Sequence, residues 1–267
     1  MSVANTSADQ ASSVPSSGAG PASVRVRFWV GAALAVSLIP IFFAQVFWAS
    51  LLVTPWYVPI GGTLAALMVL SAIGRPRRWW RIGVALLCVV LAGLEWCFVL
   101  FLTVLPAYSG PVTSGSSVPA FHASLADGSE ISESYFQQGK PTALVFFQGR
   151  WCPFCMTQLK ELDMHHEDFA RVGANVVVVS IENVETAAQT QRDFPHLVVA
   201  SDEKRELSSA VDLINRGFAP DGSDCATPTI LLLDGQGTVK SLVRPTRFIA
   251  RPSAAEVAKA IEEKVLN

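Results

Sequence analysis

The sequence predicts an α/β domain with a mixed central sheet, preceded by three membrane-spanning helices. Three observations support this prediction. The first 105 residues contain three long apolar runs, two later apolar segments are separated by a helical pattern, and a third apolar segment turns back in a tight hairpin. A strand, helix and strand in succession imply parallel pairing, whereas a hairpin is antiparallel, so the sheet is predicted to be mixed.

The apolar runs are each about 19 to 26 residues long, which is enough to cross a hydrocarbon core of about 30 Å as a helix. The chain is 51% hydrophobic, with a mean hydropathy of +0.38, which is more apolar than an ordinary soluble protein. The second run contains Gly61 and Gly62 and would also suit an arm that dips into the membrane. The three runs are Phe28–Val53, Trp56–Gly74 and Ile82–Leu105.

Basic residues determine the predicted orientation of these helices. Arg25 and Arg27 precede the first run, and four arginines between Arg75 and Arg81 occupy the loop between the second and third runs. By the positive-inside rule, the amino terminus and this arginine loop face the cytoplasm. Three crossings then place the remaining chain outside the cytoplasm, on the periplasmic or outer face of a multi-pass cell-membrane protein.

Composition divides the chain into four parts. Residues 1–26 are mostly Ser, Ala, Gly and Pro, which predicts a disordered cytoplasmic tail, and residues 27–105 form the membrane region. Residues 106–116 have the composition of a linker, and residues 117–267 are long enough to form their own core. Beyond residue 105, 14 basic residues face 20 acidic ones, so no nucleic-acid partner is expected.

Residues 117–267 contain alternating strand and helix patterns. The segments Thr142–Phe147 and Val176–Ile181 are continuously apolar, as in buried central strands. Leu159, Leu162 and Phe169 have helical spacing between them. The remaining predicted elements are a strand and turn from Val118, a helix over Val184–Arg192, a strand over Leu197–Ala200, a helix over Glu203–Leu213, a hairpin from Thr229 to Val243, and a closing helix capped by Ser253.

Two cysteines three residues apart, Cys152 and Cys155, lie between a predicted strand and the following helix. At the first turn of a helix, this spacing places the two Cα atoms about 5 to 6 Å apart, where a disulfide can open and close. Cys152 would lie at the positive end of the helix beside Arg150, so its thiolate is favoured, whereas Cys155 should be more buried and less acidic. The pattern therefore predicts that Cys152 attacks a disulfide and Cys155 releases the product, with no cofactor besides the redox-active disulfide.

A zinc site is the alternative use of such a pair. His165 and His166 are the nearest further ligands, but on a continuous helix they would lie about 15 to 20 Å along it. This distance is too large to share a metal with Cys152 unless the chain bends. We therefore expect no metal site and assign the two histidines to a solvated helix face.

The three other cysteines have different predicted roles. Cys225 lies three residues before Pro228, and its thiol is either a third redox cysteine or a small loop side chain. Cys88 and Cys97 fall in the third apolar run, about 13 Å apart along one helix and on nearly opposite faces. They cannot form a disulfide with each other, and buried apolar thiols are the better interpretation.

Several motifs resemble the thioredoxin superfamily. They are Trp151-Cys-Pro-Phe-Cys155 after an apolar strand, Thr227-Pro228-Thr229 at the opening of a hairpin, and Asp234-Gly-Gln-Gly237. The strand and turn from Val118, together with the Gly-Arg-Trp-Cys-Pro-Phe-Cys sequence, resemble the AhpC/TSA, redoxin-like branch of that superfamily. The resemblance covers roughly residues 117 to 265 and implies a thioredoxin-like fold.

This resemblance implies a cis peptide before Pro228, packed against the disulfide, and a Thr227 whose backbone groups pair with an extended substrate. Without the family, Pro228 would be interpreted as the start of an edge strand. The residues implied to support the site are Arg150, Trp151, Pro153, Phe154, Thr227 and Pro228.

The same branch contains peroxiredoxins, which carry Pro-x-x-x-Thr-x-x-Cys, a pattern in which the hydroxyl orients peroxide. Here Val145 and Gly149 stand at those positions before Cys152, and Gln148 and Cys152 stand there before Cys155. We therefore predict a membrane-anchored, extracytoplasmic thiol–disulfide oxidoreductase rather than a thiol-dependent peroxidase. A third alternative is a non-catalytic, membrane-tethered binding module with a structural disulfide. The expected partners are protein or small-molecule thiols and disulfides, the lipid bilayer and a membrane redox partner.

Overall fold

The computed structural model describes residues 21–49, 52–73 and 78–266. The chain divides into two compact units. The first contains the residues up to Leu38 together with Ile60–Gly93, and the second contains Ile39–Pro59 together with the residues from Leu94 onward. The first unit is helical, and the second holds the sheet and the cysteine pair.

Three apolar helices form in the amino-terminal region: α1 (Pro21–Phe47), α2 (Tyr57–Ser71) and α3 (Trp79–Cys97), the last continued by a π-helical turn over Phe98–Leu102. Small side chains line the core of the first unit. Ala35, Ala65 and Ala85 are buried there, and a Cβ on Gly31 would lie 2.9 Å from the Ala65 carbonyl oxygen. Small residues therefore allow the helix backbones to approach closely.

Two helices of the described ranges, Ala22–Phe47 and Trp79–Leu102, are long and apolar enough to cross a membrane by length and composition. The 15 residues of α2 extend only about 22 Å, which is short of a hydrocarbon core of about 30 Å. The prediction of three spanning helices is thus corrected to two candidates. The reason is that the apolar run Trp56–Gly74 is longer than the helix that it forms.

The predicted tail, residues 1–26, falls mainly outside the described residues. Its last part, from Pro21, is not disordered but forms the start of α1, where Val24 packs against the core of the first unit. Residues 106–116, predicted as a linker, contain no helix or named strand. The segment is nevertheless attached to the domain, because the Tyr108 hydroxyl donates a hydrogen bond to the Val211 carbonyl oxygen at 2.8 Å.

A seven-stranded mixed sheet forms the centre of the second unit. Its strands are β1 (Ala123–Leu125), β2 (Glu130–Ile131), β3 (Thr142–Phe146), β4 (Asn175–Ser180), β5 (Val198–Ser201), β8 (Thr229–Leu233) and β9 (Val239–Val243), and β6 (Ile214–Asn215) and β7 (Cys225–Ala226) form a separate pair. The strand order in the sheet is β2-β1-β5-β4-β3-β8-β9. β3 pairs in parallel with β4, and β4 with β5, whereas β8 runs antiparallel to β3 and to β9. This confirms the predicted mixed sheet.

The helices of the second unit are α4 (Pro153–Met164), α5 (His166–Arg171), α6 (Val184–Asp193), α7 (Glu206–Ala210) and α8 (Ala254–Ile261), with a 3-10 turn over Glu133–Gln137 and a π-helical turn over Glu262–Leu266. The single helix predicted through Leu159, Leu162 and Phe169 is interrupted at His165, whose φ of −105° and ψ of 26° leave the helical region. Phe169 still reaches the same core as Leu159 because α5 redirects the chain. The predicted cap is confirmed, since Ser253 and Glu256 form a reciprocal capping box before α8.

The two faces of the sheet bury separate apolar cores. On one face Val145 and Leu232 pack with Leu159, and on the other Leu144 and Phe146 are buried among different side chains. All five residues of β3 are therefore buried, as its continuous apolar sequence predicts. The residues after Phe146 therefore lie at one edge of the sheet.

Candidate active site

The cysteine motif begins where β3 ends, at the carboxyl edge of the parallel strands. Phe147 still donates its backbone N–H to the Val179 carbonyl oxygen at 3.0 Å, and the chain then turns at Gly149, where φ is +146°. A Cβ on Gly149 would lie 2.8 Å from Oε1 of Glu182. The turn therefore requires glycine both for its backbone conformation and for this close approach.

Glu182, which follows β4, fixes the turn. The Arg150 backbone N–H lies 3.0 Å from each carboxylate oxygen of Glu182. Burial raises the pKa of the Glu182 carboxyl, and the hydrogen bond from Arg150 offsets part of this increase. The end of the neighbouring strand thus holds the cysteine loop through a backbone contact.

The Arg150 side chain does not have the position that the sequence predicted. Its Nη2 lies 2.8 Å from Oδ2 of Asp193, and its Nη1 donates to the Thr190 hydroxyl at 3.3 Å. The guanidinium is therefore engaged with α6 rather than with Cys152.

Cys152 is the N-cap residue of α4, and Cys155 lies in the first turn of that helix. Both are free thiols, and their exposed fractions are 1% and 0%. The Cys155 backbone N–H donates to Sγ of Cys152 at 3.4 Å, and Pro153 provides a favourable first helical residue. Gln148 Oε1 accepts hydrogen bonds from both thiols, at 3.1 Å from Cys152 and 3.8 Å from Cys155. The side-chain amide of Gln148 therefore contacts both sulfurs.

Arg251, in the loop before α8, supplies the positive charge at the pair. It is 7% exposed, and its backbone N–H donates to the Leu52 carbonyl oxygen at 2.8 Å. Its Nη1 donates to the Ala250 carbonyl oxygen at 3.0 Å, whereas Nε and Nη2 are buried and have no hydrogen-bond partner within the described part of the chain. The guanidinium charge stabilises the ionised form of either thiol.

The pKa values of the two thiols shift in opposite directions. Burial favours the neutral Cys155 thiol, but the hydrogen bond from Cys152 and the Arg251 charge outweigh burial and lower the pKa of Cys155 to about 6. The same hydrogen bond, together with burial, raises the pKa of Cys152. The sequence predicted the reverse order; the difference arises because the Cys152 thiol acts as the donor in the reduced pair. Proton transfer along this hydrogen bond moves the negative charge to Cys152.

Aromatic side chains continue from the motif across the surface beside it. Phe154 lies 5.7 Å from Phe248 between ring centroids, Phe248 lies 5.9 Å from Phe218, and Phe218 lies 6.5 Å from Trp151. On the other side, Phe154 lies 6.3 Å from Phe42, near the end of α1. Trp151 is 38% exposed, so this aromatic surface can contact the apolar groups of a substrate.

Thr227 and Pro228 are buried and connect β7 to β8. The Thr227 backbone N–H donates to the Leu213 carbonyl oxygen at 2.6 Å. Thr229, the first residue of β8, is paired with Phe146 at the end of β3. This register brings Thr227 and Pro228 to the edge of the sheet that carries the cysteines, while the cis peptide and the substrate pairing stay predictions.

Cys225 is buried in β7 opposite Asn215. Burial, followed by the charges of Cys155 and Asp224, raises the pKa of Cys225 to about 12, and the Gln148 side chain offsets part of this rise. The Cys225 thiol is therefore held in its neutral form.

No group of three or more His, Cys, Asp or Glu side chains is arranged to hold a metal ion in the described ranges. His165 ends α4, and His166 begins α5 and stacks on the His196 ring at a centroid distance of 3.7 Å.

Three site residues were not predicted as such: Gln148, Glu182 and Arg251. Glu182 did have a signal, since it follows a strand parallel to the one before the motif, and such strands end at the same edge. For Gln148, the only sequence signal was its position shortly before the cysteine motif. Arg251 is far from both cysteines along the chain, so local sequence patterns gave no signal for it.

Comparisons with known proteins agree with this fold. Residues 114–242 match the AhpC/TSA family. One similar solved structure is a mutant of the peroxiredoxin 6 of Arenicola marina, with 18% identity, a TM-score of 0.51, and coverage of 57% of this chain and 73% of that one. Another is a mutant of Xylella fastidiosa PrxQ, with 16% identity, a TM-score of 0.50, and coverage of 58% and 98%. None of the curated proteins matches the chain.

At these identities, the similarity to solved structures shows the fold alone. Together with the family match, it supports a redoxin domain with a thioredoxin-like fold in the second unit. This domain is therefore of the class that contains thiol-based oxidoreductases and peroxidases.

Proposed function

We propose that this protein is a membrane-anchored thiol–disulfide oxidoreductase that uses Cys152 and Cys155. The geometry of the pair carries this proposal. Two free thiols lie one helical turn apart, the Cys155 N–H is 3.4 Å from Sγ of Cys152, and both thiols donate to Gln148. A desolvated guanidinium from Arg251 stabilises a thiolate in this pair.

In the proposed reaction, the Cys152 thiolate attacks a substrate disulfide and forms a mixed disulfide, and the first substrate thiolate leaves. Cys155 then attacks Sγ of Cys152, which forms the internal disulfide and releases the second substrate thiolate. Two electrons pass from the pair to the substrate, and the reverse sequence oxidises a dithiol. Because Cys152 is 1% exposed, the substrate must first displace part of the adjoining surface, which includes Trp151 and Phe154.

A thiol-dependent peroxidase is the second candidate, since the similar solved structures include a peroxiredoxin and Arg251 offers buried N–H donors near the thiols. Against it, no hydroxyl occupies the positions of Val145 and Gly149 before Cys152. A hydroxyl that orients peroxide is therefore missing from the expected place, and geometry favours disulfide exchange.

Parallel assays of the detergent-purified full chain test these alternatives. We expect the protein to reduce insulin disulfides in the presence of dithiothreitol. Cys152→Ser should abolish this activity, Cys155→Ser should accumulate mixed disulfides, and Cys97→Ser should leave it unchanged. Rapid consumption of hydrogen peroxide without insulin reduction would instead support the peroxidase, and neither activity would support a binding module.

We also propose that the redox domain is extracytoplasmic. If the two candidate helices cross the bilayer, the loop between them lies on one side, and Arg25, Arg27 and the redox domain lie on the other. The four arginines between Arg75 and Arg81 outnumber Arg25 and Arg27, so the positive-inside rule favours a cytoplasmic loop and an extracytoplasmic redox domain. A membrane-impermeant maleimide applied to intact cells should label Glu203→Cys, and labelling only after lysis would place the domain in the cytoplasm.

A further inference from the structure

A cleft of about 460 Å³ lies beside the cysteine motif, where Gln148 and Trp151 form part of its wall. The rest of the wall comes mainly from the residues that follow β4 and from the loop between β6 and β7. Gln148 connects this cleft to the reacting sulfurs, because its Oε1 lies 3.1 Å from Sγ of Cys152. A group bound in the cleft would therefore lie next to a disulfide that Cys152 attacks.

The charged side chains that line the cleft are mainly acidic. They are Glu182, Asp221, Asp224 and Arg205. Arg205 and Asp224 form an ion pair at 2.6 Å, so their charges compensate each other. The described hydrogen-bond donors to Glu182 and Asp221 are N–H and hydroxyl groups, which carry no charge. The cleft therefore has an excess of negative charge.

Both of these carboxylates can receive a cation. Glu182 is partly buried, and this burial raises its pKa, although hydrogen bonds from the Arg150 N–H and the Ser180 hydroxyl offset part of the increase. The Arg150 guanidinium is engaged with α6. A partly desolvated carboxylate gains more from a nearby cation than a fully hydrated one does. Asp221 is exposed, and hydrogen bonds from Ser223 lower its pKa, which favours its ionised form.

Gln148 supplies a second, independent indication of a ligand. It is 1% exposed, and its Nε2 is buried without a hydrogen-bond partner among the residues that the structure describes. Since buried N–H groups are normally paired, a free donor in the wall of a cleft indicates an acceptor on the molecule that binds there. A peptide carbonyl oxygen is such an acceptor. Trp151, which is 38% exposed, offers an apolar wall to the aliphatic part of a long side chain.

We infer that this cleft is a subsite for a Lys or Arg side chain close to the reacting cysteine of a peptide or protein disulfide. The inference rests on the proposed function, because the substrate disulfide is the group that Cys152 attacks. The substrate cation binds at Glu182 and Asp221, and a substrate carbonyl oxygen accepts from Gln148. The covalent exchange is unchanged. Beyond residue 105, 14 basic residues face 20 acidic ones, and this net negative charge attracts the same basic substrates.

Peptide disulfides that differ at one residue test this inference on the full chain in a non-ionic detergent. The probes are fluorescence-quenched peptide dimers joined by one disulfide, with Lys, norleucine or Glu at each of the two positions on either side of the cysteine. Dithiothreitol is the reductant, and the uncatalysed rate is subtracted. At the position that fits the cleft, we expect kcat/KM for Lys to exceed that for norleucine by about fivefold, chiefly through a lower KM, and Glu to be the poorest substrate. High salt should reduce this preference, since it screens exposed charges.

A matched pair of variants assigns the preference to the cleft. Asp221→Asn should reduce the ratio of Lys to norleucine kcat/KM to about twofold, because one of the two unpaired charges is removed. Asp127→Asn is the control. Asp127 is also exposed and accepts from the N–H of the serine two residues later, Ser129, as Asp221 does from Ser223, but it does not line the cleft. Its ratio should stay at about fivefold.

The outcomes separate this inference from the proposed function. If insulin is reduced but Lys gives no advantage over norleucine at any position, only the subsite is overturned. An equal loss of the Lys preference in Asp221→Asn and Asp127→Asn would likewise overturn the assignment to the cleft. If neither insulin nor any peptide dimer is reduced, the proposed function itself fails.

Discussion

Two loops of the second unit each carry an arginine, and they use its charge differently. In the cysteine loop, Arg150 forms an ion pair with Asp193, and the two side chains are 30% and 52% exposed. In the loop before α8, Arg251 is buried, and two of its guanidinium nitrogens have no hydrogen-bond partner in the described ranges. The pKa values of the thiols therefore depend on the buried charge of Arg251 and not on that of Arg150, because charges interact more strongly where water is excluded.

The same comparison explains why the thiolate and Arg251 stabilise each other. A buried guanidinium is unfavourable unless a negative charge or hydrogen bonds compensate for its lost hydration. The ionised thiol of the reduced pair supplies that negative charge, and disulfide formation removes it. The reduced state is therefore favoured relative to the disulfide, which makes the pair a stronger oxidant.

Substitution of the two arginines should separate their roles most clearly. Arg251→Gln should raise the pKa of Cys155 from about 6 towards the ordinary thiol value of about 8.5, and each unit lowers the thiolate fraction of the pair at pH 7 by up to about tenfold. We expect roughly 10- to 100-fold slower alkylation by iodoacetamide at pH 7, with the pH profile moved upward. Arg150→Gln should change the rate by less than about twofold, since it loses only a partly exposed ion pair. Equal effects of the two substitutions would refute the distinction.

Substitution of two glycines by alanine tests how strongly the backbone of the cysteine loop is constrained. Gly149→Ala places a Cβ at positive φ and 2.8 Å from the Glu182 carboxylate, so we expect a loss of about 2 kcal/mol of stability and slower exchange. Gly128→Ala, also at positive φ but with no atom within 4 Å of its Cβ, should lose about 1 kcal/mol and keep normal exchange. Thermal denaturation and insulin reduction measure both effects. Indistinguishable variants would show that the contact with Glu182 does not constrain the loop.

The smallest expected effect concerns the hydrogen bonds of the pair. Gln148→Leu removes the acceptor shared by Cys152 and Cys155, and we expect about fivefold slower insulin reduction, equivalent to one hydrogen bond of about 1 kcal/mol. Gln158→Leu is a matched control, because Gln158 is also buried and its Nε2 likewise has no partner in the described residues. Its insulin reduction should be unchanged. A loss of the same size in both variants would indicate a packing effect instead.

The parts of the fold that sequence patterns predicted are those set by local interactions. β3 and β4 follow from continuous apolar segments, the β8–β9 hairpin from its glycine turn, and the cap of α8 from Ser253. The break at His165 was missed because Phe169 keeps its place in the core after the chain is redirected. Tertiary packing, not periodicity, determines that break.

The active site likewise has features that local sequence patterns predicted and features that they did not. The spacing of Cys152 and Cys155 places them on one helical turn, so their approach was predictable from local geometry. The charge at the pair was not, because Arg251 reaches it only through the folding of a distant loop onto the sheet. For Cys225, the sequence left two interpretations open, and its burial depends on the pairing of β6 with β7.

The most direct test of the account is a redox titration of the full chain in glutathione buffers, followed by acid quenching and disulfide mapping. We predict a reversible two-electron transition between the dithiol and oxidised protein in which Cys152–Cys155 is the main disulfide, with a more negative potential in Arg251→Gln than in the unmodified chain. Cysteines that stay reduced, or stay bonded, at every glutathione ratio would contradict the central claim that this pair exchanges its disulfide with external thiols.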